Sequence, residues 1–262
     1  MSKNEFYIGW QDEMPPSNKS FVRNILIGIF VLIPVLVFAV VSFQKPMNHH
    51  HFEFGTITEL SGIYHSQPFP MLKVLSGVPE GFSKDVLLVG FGKFGAGGIM
   101  EDIEEEQGSL AGKKVTLNGT LIYGDGITLM ELTDLEASFV NAEQDPYPMI
   151  VEDYVLPLKE ITGEILDPKC YFGVMKPGEG KIHKSCAIRC ISGGIPPVMR
   201  VLQSDGINYD YYLVKGESGE EINKEVLPYV AEMVSVSGEA IVQNGWKVMY
   251  VDTDSIEKKE TK

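Results

Sequence analysis

A chain of 262 residues carries 36 acidic side chains against 22 basic ones, for a net charge of −14. That balance argues against a nucleic-acid partner, because a phosphate backbone demands lysine and arginine to neutralise it. It argues equally against docking on anionic lipid headgroups, and the length fits about one to two domains.

Residues 1–23 read as a polar cytoplasmic tail with Phe6, Tyr7 and Trp10 near its start. One reading of the tail is a disordered terminus. The other docks Tyr7-Ile-Gly-Trp10 on a membrane partner, since aromatic side chains favour interfaces. From Asn24 to Phe43 the chain reads NILIGIFVLIPVLVFAVVSF, with no charge between Arg23 and Lys45. About 20 helical residues cross a hydrocarbon core of roughly 30 Å, and Pro34 is tolerated in a membrane span. A cleaved signal peptide fits poorly: the apolar run is long, 23 residues precede it, and no small-x-small site comes after it. Lys3, Lys19 and Arg23 lie before the span and only Lys45 just after it. The asymmetry predicts a single-pass protein of the cytoplasmic membrane, with residues 47–262 on the periplasmic side.

His49-His50-His51 comes directly after the span. Adjacent residues on an extended chain point to opposite sides, so a polar membrane-exit segment is expected rather than a metal site. Further on, Gly90-Phe-Gly92-Lys-Phe-Gly95 scans as G-x-G-x-x-G after a strand. A dinucleotide site also needs a βαβ unit, whereas the residues after Gly95 read as a short helix and a β-hairpin. A Gly-rich turn of a β-barrel is the expectation.

Two segments match at a constant offset of 119 residues: Val115 with Val234, Gly119 with Gly238, Gly126 with Gly245 and Met130 with Met249. Each alternates apolar and polar residues and turns at Asp125-Gly126 or Asn244-Gly245, dipeptides that supply the positive φ of a tight hairpin. Gly119 and Gly238 fall mid-strand, where glycine marks a bulge or sharp bend. Upstream, each copy repeats a strand ending in glycine (54–62; 158–163), another strand (85–89; 209–214) and an acidic helix-like stretch (99–110; 220–229). Short bent strands with one helix before the final hairpin are the plan of an OB barrel. The expected fold is all-β: tandem OB-like barrels, each with one short helix, over residues 50–140 and 155–258, behind the N-terminal membrane helix. Residues 136–157, with Asp145-Pro-Tyr-Pro148, read as a linker.

The copies differ at one place. Domain 2 carries an insert, 167–197, that holds every cysteine of the chain, together with His183. OB barrels bind ligands over the loop after strand one, which is where this insert falls. If residues 182–191 are helical, His183, Cys186 and Cys190 occupy i, i+3 and i+7 on one face, and Cys170 can close the set. Three thiolates and an imidazole are a structural zinc set, although C-x12-H-x2-C-x3-C is not the spacing of common fingers. An iron–sulfur cluster is a lesser alternative. A disulfide from Cys170 to Cys186 or Cys190 stands beside the metal reading, since an extracytoplasmic compartment oxidises thiols. The absence of Cys-x-x-Cys-His excludes covalent haem.

The chain resembles a family of bacterial membrane-anchored proteins, without a settled activity, built as tandem OB-like domains with Cys and His in the second. The residues that carry the likeness are Gly163-Glu-Ile-Leu-Asp167, Cys170, Gly173, His183, Cys186-Ala187, Cys190 and Gly194-Ile-Pro196. In the first domain they are Pro68-Phe-Pro70, Gly92-Lys93 and Gly119-Thr-Leu-Ile-Tyr123. The resemblance implies company with respiratory or molybdenum-type redox systems. The expectation is an accessory subunit of such a membrane complex, held by integral membrane or extracytoplasmic protein partners, with no catalytic set assigned. The alternative is a protein that handles metal or thiol redox through the Cys/His cluster.

Overall fold

The computed structural model describes residues 14–43, 50–76, 78, 80, 83–147, 153–157 and 159–259. The aromatic tail motif at Phe6, Tyr7 and Trp10, and His49, lie outside them. The chain divides into two compact units, Met1–Met47 and Asn48–Lys262. Helix α1 of the first unit runs Pro16–Phe43 with Pro34 inside it. It begins about two turns before the apolar run, with Pro16 at its first position, where the missing N–H is not needed, and no breaker from there to Asn24. One helix among the described residues is long and apolar enough to cross a membrane, and it is this one.

The second unit holds two closed barrels of five strands each. In the first, β1 (His51–Phe52) lies outside the closed path. The path is β2 (Thr58–His65), β3 (Met71–Ser76), β4 (Asp85–Gly90), β6 (Ile127–Leu132) and β5 (Lys113–Gly124), which returns to β2. Helix α2 (Gly97–Gln107) joins β4 to β5. All these pairings are antiparallel except β4 with β6, which is parallel. The expected linker contributes instead a helical turn α3 (Leu135–Ser138) and an edge strand β7 (Phe139–Pro146) on β5. Phe139 and Ala142 pack there against the first barrel's core, which is why a Pro-containing segment is ordered. The strand β8 (Tyr154–Val155) then opens the second barrel, pairing with its fourth strand.

The second barrel repeats the order: β9 (Glu160–Leu166), β10 (Val198–Leu202), β11 (Tyr209–Gly216), β13 (Trp246–Val251) and β12 (Met233–Gln243), closing on β9, with a terminal β14 (Glu257–Lys258) at the edge. Here β11 and β13 make the parallel pair. The acidic stretch 220–229 is not a second α2. It is a string of turns ending in a 3-10 turn at Leu227–Tyr229.

The repeat is structural down to its register. Leu121 pairs with Met130 as Ala240 pairs with Met249, and Gly62 faces Val115 as Gly163 faces Val234. A Cβ on Gly119 would lie 2.6 Å from the carbonyl oxygen of Glu131, and one on Gly238 only 1.8 Å from that of Tyr250. Both glycines let the last strand fold tightly over the fourth, the bend that closes a small barrel. The first-strand glycines Gly62 and Gly163 lie mid-strand rather than at the strand's end, each against the carbonyl of the next strand.

Each barrel has its own core, Leu60, Leu72, Leu88 and Leu117 in the first and Ile165, Met199, Val214 and Val234 in the second. A further cluster joins the barrels. Leu87, Val89, Ile122 and Leu129 point outward from the first and meet Leu166, Phe172, Val198, Leu213 and Trp246 of the second. That second buried face explains why Val86-Leu-Leu-Val89 is apolar without alternation.

Candidate metal centre

The insert lies between β9 and β10. Asp167 comes directly after β9, and its Oδ1 accepts the backbone N–H groups of Lys169 at 2.9 Å and Cys170 at 3.3 Å. These bonds start a π-helical turn, Cys170–Val174, which turns Cys170 inward to 7 % exposure. Helix α4, Gly180–Ser192, comes next. Its buried face is His183, Ala187, Cys190 and Ile191, with Cys186 half-buried beside it, the i, i+4, i+7 pattern of an amphipathic helix. The helix stops at Gly193 and at Gly194 with φ +95°, and Asn223 Nδ2 donates to the carbonyls of Ile191 and Ile195.

The fold brings Cys170, His183 and Cys186 into one group and sets Cys190 beside Cys170 in another. Cys170 Sγ lies 4.0 Å from Cys186 Sγ and 3.9 Å from Cys190 Sγ, and all three thiols are free. Tetrahedral thiolates on zinc, at Zn–S of about 2.3 Å, stand about 3.8 Å apart. The Cys and His side chains are thus near enough to one another to hold a metal. Their donor atoms form two sets, each within 4.8 Å: Cys170, His183 and Cys186, and Asp167, Cys170 and Cys190. His183 is 2 % exposed, and neither ring nitrogen has a hydrogen-bond partner among the described residues. Asp167 Oδ2 is likewise buried and unpartnered, 3.9 Å from His183 Nε2. A buried polar group without a partner costs about 1–3 kcal/mol, and the two residues that carry these atoms each have a donor atom near the sulfurs.

Electrostatics favour a neutral Cys170 thiol when no ion is bound. The hydrogen bond with Cys190, then burial, then the Asp167 charge push the Cys170 thiol well above the usual range. A bound dication reverses that preference, since a coordinated thiol is deprotonated.

The first barrel completes the surroundings. Lys93 Nζ donates to Cys186 Sγ at 3.1 Å, and that bond raises the lysine's pKa. Lys169 Nζ donates to the carbonyls of Gly90 at 2.6 Å and Gly92 at 2.8 Å and pairs with Glu131. Gly95 N–H donates to Gly193 O, and a Cβ on Gly95 would fall 2.1 Å from Gly194 O. The G-x-G-x-x-G loop is therefore the tight contact of one barrel with the cysteine-bearing insert of the other. Sequence reading missed Asp167 and Lys93 as members of the site. Both stand among the residues that carry the resemblance; Asp167 also lies three residues before Cys170, whereas no spacing ties Lys93 to the cysteines.

His50 belongs elsewhere. Its Nδ1 lies 2.9 Å from Tyr171 O and its Nε2 3.0 Å from Asp125 Oδ2, while the His51 ring packs on Tyr123. The hydrogen bond from His50, then that from Tyr211, hold the Asp125 carboxyl below its usual range. Comparison with family models, curated proteins and solved structures gives no match.

Proposed function

We propose that this protein is a membrane-anchored module of two OB-type barrels. Its insert carries a thiolate–imidazole metal centre with zinc as the ion, and it serves as an accessory subunit of a membrane redox or respiratory assembly. One observation carries the metal reading: three free thiols spaced as metal ligands beside a buried, unpartnered imidazole. The OB reading is supported by strand order 1-2-3-5-4-1 in both barrels, with strands three and five parallel. In the first barrel the helix also falls between strands three and four. The anchor reading is supported by α1, and the cations ahead of its apolar run, Lys3, Lys19 and Arg23, favour a periplasmic location for the barrels.

A second reading has its own observation. Cys186, the half-buried cysteine, is open to solvent and sits beside an ammonium group, as reactive cysteines do. Elemental analysis with thiol counting on the native, detergent-solubilised protein separates the two. Stoichiometric zinc with blocked thiols supports the metal centre; metal-free protein with freely alkylated thiols overturns it. Blue-native electrophoresis of solubilised membranes tests the accessory role, which migration solely as a free 29.0 kDa chain would overturn. A C-terminal alkaline phosphatase fusion, expected active, tests the side of the membrane.

A further inference from the structure

The donors do not gather as one group of four. They form two groups of three that share Cys170. We propose that the centre holds two divalent metal ions bridged by the Cys170 thiolate: one on Cys170, His183 and Cys186, the other on Asp167, Cys170 and Cys190. The inference rests on the metal reading above.

Position comes first. Cys170 stands between the other two sulfurs, at 4.0 and 3.9 Å, and a thiolate sulfur has lone pairs enough for two metals. Asp167 Oδ1 accepts the N–H groups of the turn, Oδ2 is buried and unpartnered, and one oxygen of this carboxylate lies within 4.8 Å of the Cys170 and Cys190 sulfurs. The set that lacks the imidazole thus has a hard oxygen donor of its own. His183 serves the other set, and with one nitrogen on an ion its Nε2 side still faces Asp167 Oδ2. A carboxylate behind a metal-bound imidazole is a common second support.

Charge points the same way. Three thiolates and one carboxylate carry four negative charges, and His183 adds none. Asp167, Cys170 and Cys190 are all buried, where uncompensated charge is costly. One dication cancels half of the four. Lys93 reaches the Cys186 edge alone, and the Lys169 charge is already paired with Glu131. Two dications balance the set.

The test is a count of metal. The full chain is purified in detergent, stripped and titrated with Zn2+ and, separately, Co2+, with ions per chain read by elemental analysis. Two equivalents are expected. The second Co2+ should quench the electron paramagnetic resonance of the first, as spins couple through a shared sulfur. Cys190→Ala and His183→Ala should each keep one ion, and Cys170→Ala should keep neither at full affinity, with circular dichroism confirming the fold of each variant. A single equivalent in the wild type, unchanged by Cys190→Ala or Asp167→Asn, overturns the pair and leaves the metal reading standing. No bound ion overturns both. Iron with inorganic sulfide in equal amounts overturns the thiolate bridge in favour of a cluster.

Discussion

Lys169, the residue before the first cysteine, reaches into the other barrel and pairs with Glu131, whose side chain is 11 % exposed against 7 % for the lysine. The same ammonium holds the carbonyls of Gly90 and Gly92. A buried pair gains little over an apolar pair of the same shape, but breaking it leaves a bare charge behind. Lys169→Met should therefore cost about 3–5 kcal/mol, and adding Glu131→Met should recover a good part of that. Urea unfolding of the four proteins of the cycle measures it. A single-variant loss within about 1 kcal/mol, as for an exposed pair, would show that solvent reaches the contact.

Gly238 makes a sharper prediction about barrel closure. A Cβ there would meet the Tyr250 carbonyl oxygen at 1.8 Å, and the obstacle is backbone that cannot rotate away. Gly238→Ala should destabilise the second barrel by about 1–3 kcal/mol or somewhat more. Gly126, with nothing within 4 Å but a φ of +76°, should lose less when changed to Asn, which tolerates that conformation. Thermal unfolding of both variants checks the order.

These glycines mark how far the sequence could be read. The hairpins were legible because Asp125-Gly126 and Asn244-Gly245 announce positive φ, and both pairs have it. The shared offset then carried the register of two barrels. The strands Met71–Ser76 and Val198–Leu202 escaped notice, being short and set in Pro-rich surroundings without clear alternation. The acidic stretch before the second hairpin resembled α2 in composition, yet Pro228 and packing of Ile222, Val226 and Val230 into the barrel hold it as turns. In the site, the helical face of His183 and Cys190 could be read from spacing. Lys93 could not, since it meets Cys186 only through the fold, 93 residues away in sequence.

Metal removal should act on the insert more than on the barrels, because neither barrel's own core contains a cysteine. Binding to the folded state alone stabilises by about 2.7 kcal/mol at free metal a hundredfold above Kd. A chelator should lower the unfolding midpoint accordingly. It should also speed hydrogen exchange across 167–192 while the amides of β5 and β12 stay protected. Cys186→Ser should shrink the chelator effect. Equal loss of protection throughout both barrels would mean that the metal supports the whole fold.

The last prediction concerns pH. Burial is the main cause that lowers the pKa of His65 from 6.5, and Lys73 adds to it against the smaller opposing pulls of Asp85 and Asp153. Its Nε2 is buried without a hydrogen-bond partner among the described residues. The folded state thus prefers the neutral ring, and between the two pKa values the unfolded chain binds more protons. Stability from this group is fully present above the unfolded value of 6.5 and declines as pH falls below it towards the folded value. The depressed Asp125 works in the same direction lower down, its contribution lost only as pH falls through the carboxylate range below 3.8. Urea midpoints should therefore drop between pH 7 and pH 5, before carboxylates titrate. His65→Gln, which carries no titrating group, should flatten that drop while leaving the loss at lower pH in place. An unchanged slope in the variant would assign the proton uptake to another group.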